Sequence, residues 1–166
     1  MMKNILFICT GNTCRSCMAE GILKSFIEKD SQLNMNFSSS SAGIHAYEGD
    51  CASEHARKVL ADEWGIDLSP HRSKLADLQS LNDAYLILTM TRGHKDALLS
   101  ALPDLKPKTF TLTEYAYSED PSNRVPDFSK DISDPFGMSV DVYRKCAFEI
   151  YEAVKRLVNI LKGQVT

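Results

Sequence analysis

The stretch that decides the fold is NILFIC at residues 4–9, followed by TGNTCRS at residues 10–16. The first six residues form an apolar run typical of a buried strand. The next seven are polar and contain one glycine, which indicates a tight turn. Apolar residues then recur at helical spacing: Met18, Ile22, Leu23, Phe26 and Ile27. The chain therefore begins with a strand, a tight loop and a helix.

The same alternation continues along the chain. Further strands are predicted at residues 36–42, 84–89 and 109–112, and helices over residues 52–64, over 92–102 and from about Ser139 onward. Strands that alternate with helices predict a parallel sheet covered on both faces. Ligands bind beyond the carboxyl ends of such strands, which is where Cys9 lies. Residues 115–133 are polar and contain Pro121 and Pro126, so we expect a long loop there.

Length and composition limit the possible functions. The chain has 166 residues, which predicts one domain over residues 1–166. Hydrophobic residues make up 43% and the net charge is -3, which gives no reason to expect binding to nucleic acid or membrane. No apolar run has transmembrane length. The number of cysteines, five, is odd, which is not typical of a secreted protein held together by disulfides. We therefore expect a cytoplasmic protein, and nothing in the sequence indicates its oligomeric state.

The loop at residues 9–16 has the chemistry of an anion site. Backbone N–H groups converge between a strand and a helix N-terminus, where the helix dipole adds about half a positive charge. These groups would stabilise a thiolate at Cys9, and Arg15 offers a planar fork of donors to phosphate oxygens. Gly11 allows a positive φ in the tight turn, Asn12 tolerates the left-handed region, and Ser16 can donate a hydroxyl to the thiolate. This arrangement predicts attack by sulfur on phosphorus and a phosphocysteine intermediate.

Such a reaction needs a general acid for the leaving group. Asp127, Asp131 and Asp134 lie on or beside the predicted long loop. Asp134 is favoured because Pro135 holds it in an extended conformation and Phe136 can form an apolar wall beside it.

The run CTGNTCRS at residues 9–16, with DPFG at 134–137, resembles the low-molecular-weight protein tyrosine phosphatase family. Further similar runs are SAG at 41–43, HRS at 71–73, LTM at 88–90 and TLTEY at 111–115, so the resemblance covers essentially the whole chain. It implies an α/β fold with a four-stranded parallel sheet, helices on both faces and flavodoxin-like layering.

The resemblance also implies roles for individual residues. Cys9 would be the nucleophile, Arg15 the transition-state clamp, and Asp134 the acid and then the base. The phosphate-binding residues would be Thr10, Gly11, Asn12, Thr13, Cys14 and Arg15. The residues that support the loop would be Asn12, Ser16, Ser41 and His71.

Position 13 bears on the substrate. Many tyrosine-specific members have a bulky aliphatic residue there, whereas Thr13 resembles the bacterial protein arginine phosphatases. A hydroxyl can accept an N–H from phosphoarginine that an aliphatic side chain would leave unpaired. Thr13 and Phe136 are therefore the predicted selectivity residues. The predicted function is hydrolysis of phosphorylated proteins, on phosphoarginine first and phosphotyrosine as the alternative.

The other cysteines have several interpretations. Cys14 and Cys17 form a C-x-x-C pair, but a structural zinc needs four ligands and no second close pair exists, so no metal or other cofactor is expected. Cys17 stands where family members usually have proline. Either Cys14 or Cys17 could be a redox partner of Cys9, and we favour Cys14. Cys51 and Cys146 belong to no motif and are expected to be structural.

Histidines and tyrosines outside the motifs have less specific readings. Three histidines are expected at the surface or at helix caps: His45, His55 and His94. Three tyrosines are expected either as pocket walls or as core or exposed aromatics: Tyr47, Tyr115 and Tyr117.

Two other functions share this fold. Arsenate reductases need two further cysteines past the third strand, but residues 52–145 contain none. Phosphocarrier domains of sugar-uptake systems lack the loop arginine and the late acid, which Arg15 and Asp134 supply here. Both alternatives are therefore disfavoured against hydrolysis.

Overall fold

The computed structural model describes residues 1–119 and 131–165. Its four described strands are β1 (Lys3–Cys9), β2 (Phe37–Gly43), β3 (Leu86–Thr89) and β4 (Thr109–Thr111). They form one sheet in the order β2-β1-β3-β4, and every neighbouring pair is parallel. The predicted parallel α/β sheet is confirmed, with β1 in its interior.

Helices cover both faces of this sheet. The described helices are α1 (Arg15–Glu28), α2 (Ser31–Asn36), α3 (Glu54–Trp64), α4 (Leu78–Asp83), α5 (Arg92–Ala101), α6 (Leu112–Ala116) and α7 (Val140–Gly163). A 3₁₀ helix, Pro103–Lys108, precedes β4. None of the described helices combines the length and apolar character needed to cross a bilayer.

Two apolar clusters pack against opposite faces of β1. Ile5 and Phe7 belong to a large cluster that also contains the buried apolar side chains of α1 and α7. Leu6 and Ile8 belong to a smaller cluster with Leu98 of α5. Burial on both faces explains why the strand is a continuous apolar run rather than an alternating one.

Side-chain caps set where the helices begin. Ser53 accepts the N–H of Ala56, so α3 begins at Glu54 rather than at the predicted residue 52. Gly65 ends this helix in the left-handed conformation at φ 65°, as its predicted position after the helix requires. Ser139 caps α7 in the same way, so this helix begins at Val140, next to its predicted start.

Some boundaries differ from the predictions. The fourth strand ends at Thr111 because Thr111 and Glu114 form a capping box that begins α6, so the predicted loop starts later than residue 115. The short helices α2, α4 and α6 were not predicted, since five or six residues do not display a helical period. Residues 120–130, which include Pro121, Pro126 and Asp127, lie outside the described residues.

Candidate active site

The loop between β1 and α1 surrounds the thiol of Cys9. This side chain is only 3% exposed. Its Sγ lies 2.8 Å from the Oγ of Ser16 and accepts the backbone N–H of Asn12 at 3.3 Å. Helix α1 begins at Arg15, so its unpaired N–H groups and positive dipole end lie at the loop. The loop and the helix start therefore place hydrogen-bonding groups around the sulfur of Cys9.

Asn12 holds the loop in shape from its centre. It has a φ of 57°, and no other non-glycine residue among those described has a positive φ. Its amide nitrogen donates to Ser16 Oγ at 2.9 Å and to Ser41 Oγ at 2.8 Å. Its amide oxygen accepts the N–H of Lys74 at 2.9 Å. The side chain is fully buried, so these bonds offset the cost of the left-handed conformation.

A second group of polar side chains braces the loop from behind. His71 Nε2 donates to the carbonyl oxygen of Asn12 at 2.7 Å. His71 Nδ1 lies 3.9 Å from Oε2 of Glu20, which also accepts the hydroxyl of Ser41. Sequence reasoning named His71 and Ser41 but missed Glu20. Its one available signal was its position four residues after Ser16, on the same face of α1.

Two glycines shape the site in different ways. Gly11 does not use the positive φ that glycine allows, and Asn12 makes the left-handed turn of the loop instead. A Cβ at Gly43, at the end of β2, would lie 2.5 Å from the carbonyl oxygen of Thr10 and 3.0 Å from the N of Asn12. Only glycine lets β2 approach the loop this closely.

Arg15 connects the loop to the carboxylate of Asp134. The arginine is 5% exposed, and its Nη1 donates to the carbonyl oxygen of Ile132 at 3.1 Å. Its Nη2 lies 3.4 Å from Oδ2 of Asp134, whose side chain is 58% exposed. The other carboxylate oxygen accepts the N–H of Phe136 at 3.1 Å. The alternative acid Asp131 instead accepts the N–H of Arg92 at 2.7 Å.

The thiol and this carboxylate share one cavity of about 440 Å³. Its lining residues are Cys9, Thr10, Gly11, Asn12, Thr13, Cys14, Arg15, His45, Tyr47, Asp50, Asp134 and Phe136. Every predicted catalytic and phosphate-binding residue is therefore at one place. His45 and Asp50 were not predicted there, and Tyr47 is a pocket wall, whereas Tyr115 and Tyr117 pack against the core.

A larger cavity of about 640 Å³ lies beside α1 and the segment from Trp64 to His71. It includes the buried thiol of Cys17 but neither Cys9 nor Arg15. The smaller cavity is therefore the candidate active site, because it contains Cys9 at the start of the loop together with Arg15 and Asp134. The thiol in the larger cavity, that of Cys17, is buried and its pKa is raised.

His94 also contacts the loop, although the sequence suggested a surface or capping position. Its Nε2 lies 2.9 Å from Oγ1 of Thr10. Burial, together with the charge of Arg15, lowers the pKa of His94 to about 4. The imidazole is therefore neutral near pH 7 and contributes a hydrogen bond rather than a charge.

The remaining cysteines differ in surroundings. Cys14 Sγ lies 3.2 Å from the hydroxyl of Tyr143. Burial is the larger cause, and this contact the smaller one, that raises the pKa of Tyr143 to about 12. Burial also raises the pKa of Cys17 well above its ordinary value, and its thiol donates to the carbonyl oxygen of Cys14 at 3.1 Å. Cys146 is buried, and Cys51 is exposed. Across residues 1–119 and 131–165, no group of three His, Cys, Asp or Glu side chains could hold a metal ion.

Comparison with known proteins decides the family. The model of the family described as low molecular weight phosphotyrosine protein phosphatase matches residues 4–166. The chain belongs to this family. It is a phosphatase of the class that works through a phosphocysteine intermediate, as the resemblance implied.

Individual relatives of this phosphatase carry two kinds of name. A protein-arginine-phosphatase of Geobacillus stearothermophilus is 39% identical over 164 residues, which are 99% of each chain. A low molecular weight protein-tyrosine-phosphatase of Staphylococcus epidermidis is 37% identical over 154 residues, covering 92% of this chain and 95% of that one. The solved arginine phosphatase of G. stearothermophilus covers 98% of this chain and 94% of its own, with a TM-score of 0.83 at 37% identity. The predicted fold is thereby confirmed.

Proposed function

We propose that this phosphatase removes phosphate from phosphoarginine in proteins, with Cys9 as nucleophile, Arg15 as clamp and Asp134 as acid. The observation that carries the proposal is the 3.4 Å approach of Asp134 to Arg15, beside the loop that holds Cys9. A group in this position can reach the leaving atom while Arg15 binds the phosphate. Thr10, Gly11, Asn12, Thr13 and Cys14 supply the loop's backbone N–H groups to the phosphate oxygens.

In the first step, the thiolate of Cys9 attacks phosphorus and the bond from phosphorus to the guanidinium nitrogen breaks. The bonding pair stays on that nitrogen, which takes a proton from Asp134, and the arginine side chain leaves. Phosphate is now bound to Sγ of Cys9. Arg15 and the N–H groups of the loop stabilise the negative charge that spreads over the equatorial oxygens.

In the second step, water attacks the phosphocysteine. Asp134, now a carboxylate, takes a proton from this water. The sulfur–phosphorus bond breaks, and Cys9 leaves as a thiolate that Ser16 and the N–H of Asn12 stabilise at 2.8 and 3.3 Å. Inorganic phosphate then dissociates. The products balance as arginine and phosphate, with one water consumed.

The phosphoarginine assignment is supported by Thr13 and by relatives. Thr13 lines the cavity, so its hydroxyl is available to an N–H beside the phosphorus. The protein-arginine-phosphatase of G. stearothermophilus is similar to this chain over nearly its whole length. The five cysteines are free, which fits phosphorylated proteins of the reducing cytoplasm as substrates.

Phosphotyrosine is the second candidate. Tyr47 and Phe136 line the cavity and are 80% and 73% exposed, so two aromatic surfaces are available to an aryl ring. Relatives named as tyrosine phosphatases are similarly close.

One preparation tests both candidates. Turnover of a phosphoarginine peptide and a phosphotyrosine peptide of the same sequence is compared as kcat/KM. We expect the phosphoarginine peptide to have the higher value, and a preference for phosphotyrosine would replace the first assignment with the second. Cys9→Ser is the control, since it should abolish turnover of both peptides while phosphate still binds; full activity of this variant would overturn the mechanism.

A further inference from the structure

Asp50 is a second carboxylate residue in the catalytic cavity. It lies on the segment between β2 and α3, whereas Asp134 comes from the segment before α7. Neither sequence motif includes it. The cavity is therefore lined by carboxylate residues from two separate parts of the chain, beside the space that the leaving group of the substrate would occupy.

The backbone of Asp50 is held in place. Its N–H donates to the Oγ of Ser73 at 2.9 Å, and its carbonyl oxygen accepts the N–H of Ser73 at 2.8 Å. The next link is the N–H of Gly49, which donates to the carbonyl oxygen of Ser73 at 2.9 Å. Ser73 itself is 1% exposed, so this anchor is buried. The backbone position of Asp50 is therefore set by the fold rather than by a free loop.

The carboxylate of Asp50 has no hydrogen-bond or ion-pair partner among residues 1–119 and 131–165. Arg15, the one arginine or lysine that lines the cavity within residues 1–119 and 131–165, already contacts Ile132 and Asp134. A dianionic phosphate takes up Arg15 and the loop N–H groups. Asp50 then adds negative charge to the cavity. An aryl phosphate carries no cation that could pair with this charge, so the charge disfavours binding of such an anion.

Phosphoarginine brings that cation. Its guanidinium carries positive charge and N–H donors one bond from the phosphorus, and carboxylates are the natural acceptors for this group. We propose that Asp50 is a specificity-determining residue that binds the substrate guanidinium as an ionised carboxylate. This role rests on the proposed phosphoarginine function.

Two carboxyl groups resolve a conflict in the first step. Asp134 must carry a proton to give it to the leaving nitrogen, and a protonated carboxyl offers no negative charge to the guanidinium. The carboxylate of Asp50 supplies that charge, while Asp134 supplies the proton. The two residues thereby divide binding and proton transfer between them.

The test compares three variants with the wild type on matched phosphoarginine and phosphotyrosine peptides. Asp50→Asn keeps the shape and removes the charge. We expect it to lower kcat/KM for phosphoarginine roughly three- to tenfold and to raise it about two- to threefold for phosphotyrosine, because the solvent-exposed charge acts in opposite directions on the two. Asp50→Glu, which restores the charge, should recover at least part of the phosphoarginine preference.

Glu48→Gln is the matched control. It removes the same charge two residues away, but Glu48 accepts the N–H of Leu75 at 2.6 Å and is absent from the cavity lining. Its ratio of the two kcat/KM values should stay within about twofold of wild type. A ratio that Asp50→Asn leaves unchanged, or that Glu48→Gln shifts equally, overturns the role of Asp50 alone. Wild-type protein that does not hydrolyse phosphoarginine overturns the proposed function, and the role of Asp50 with it.

Discussion

Oγ1 of Thr10 lies 2.9 Å from Nε2 of His94, so a buried imidazole on α5 is hydrogen-bonded to the phosphate-binding loop. Nδ1 of His94 has no partner among the described residues. A second proton on this ring would create a buried charge near Arg15, whose own charge opposes it. The negative charges of Asp131 and Asp134 favour the protonated ring and so raise the pKa of His94. The effect of burial is larger and leaves this pKa at about 4.

This relationship predicts a pH dependence of stability. The pKa of His94 is lowered in the folded state from 6.5 to about 4, so the unfolded chain takes up the proton first as the pH falls. The contribution of neutral His94 to the free energy of unfolding is therefore complete above pH ~6.5 and is lost progressively toward pH ~4. His94→Gln, which cannot titrate, should lose about 1–2 kcal/mol less unfolding free energy than wild type between pH ~7 and pH ~5. Urea unfolding at the two pH values measures this difference, and equal losses in both proteins would contradict it.

The carboxylate beside Arg15 predicts a dependence on the leaving group. Asp134→Ala should slow hydrolysis of aryl phosphates with weakly acidic phenols by ~10²–10⁴, and those with strongly acidic phenols far less, because good leaving groups need no proton. Steady-state kinetics over a series of aryl phosphates measures the slope of the logarithm of the rate against the acidity of the departing phenol. Asp131→Ala is the matched control, since this carboxylate is bonded to the N–H of Arg92 at 2.7 Å. If Asp131→Ala or Asp127→Ala gives the steep slope instead, Asp134 is not the acid.

The three thiols of residues 9–17 predict how peroxide acts. Peroxide should oxidise Cys9 to the sulfenic acid, and attack by Cys14 should then release water and form a disulfide. Cys17 should stay reduced, because its buried thiol has a raised pKa and donates to the carbonyl oxygen of Cys14. Mass spectrometry of the oxidised protein identifies the pair.

Two variants separate the thiols in this experiment. Cys14→Ser should make inactivation irreversible, because Cys9 then proceeds to higher oxidation states. Cys17→Ser should leave the inactivation reversible by thiol reductants. A Cys9–Cys17 disulfide in the wild type would contradict the predicted pairing.

Position 13 predicts a change of substrate preference. Thr13→Ile replaces a hydroxyl with methyl groups and leaves a guanidinium N–H unpaired, at a cost of about 1–3 kcal/mol, or roughly ten- to a hundredfold in rate. Activity on phosphoarginine should fall by this factor, while activity on phosphotyrosine is preserved or raised. The measured quantity is the ratio of the two kcat/KM values before and after substitution. An unchanged ratio would mean that Thr13 does not select the substrate.

Much of the fold was predictable because its signals are local. The apolar run of β1, the polar turn after it and the periodic face of α7 each lie within a short window of sequence. Serine caps and Gly65 also act within one helical turn, which is why the ends of α3 were predicted to within two residues. Short helices such as α4 have no such signal and follow from packing.

The sequence by itself determined the loop chemistry of residues 9–16, because Cys9, Ser16 and the helix start lie within one short segment of the chain. Only the tertiary structure decided what surrounds that loop. His94 reaches Thr10 across 84 residues, and Asp134 reaches Arg15 across more than a hundred, because β1 and β3 pair side by side and end at the same edge. Asp50 and Glu20 belong to no motif, so their relation to the cavity and the loop follows only from the packing of strands and helices that brings them there.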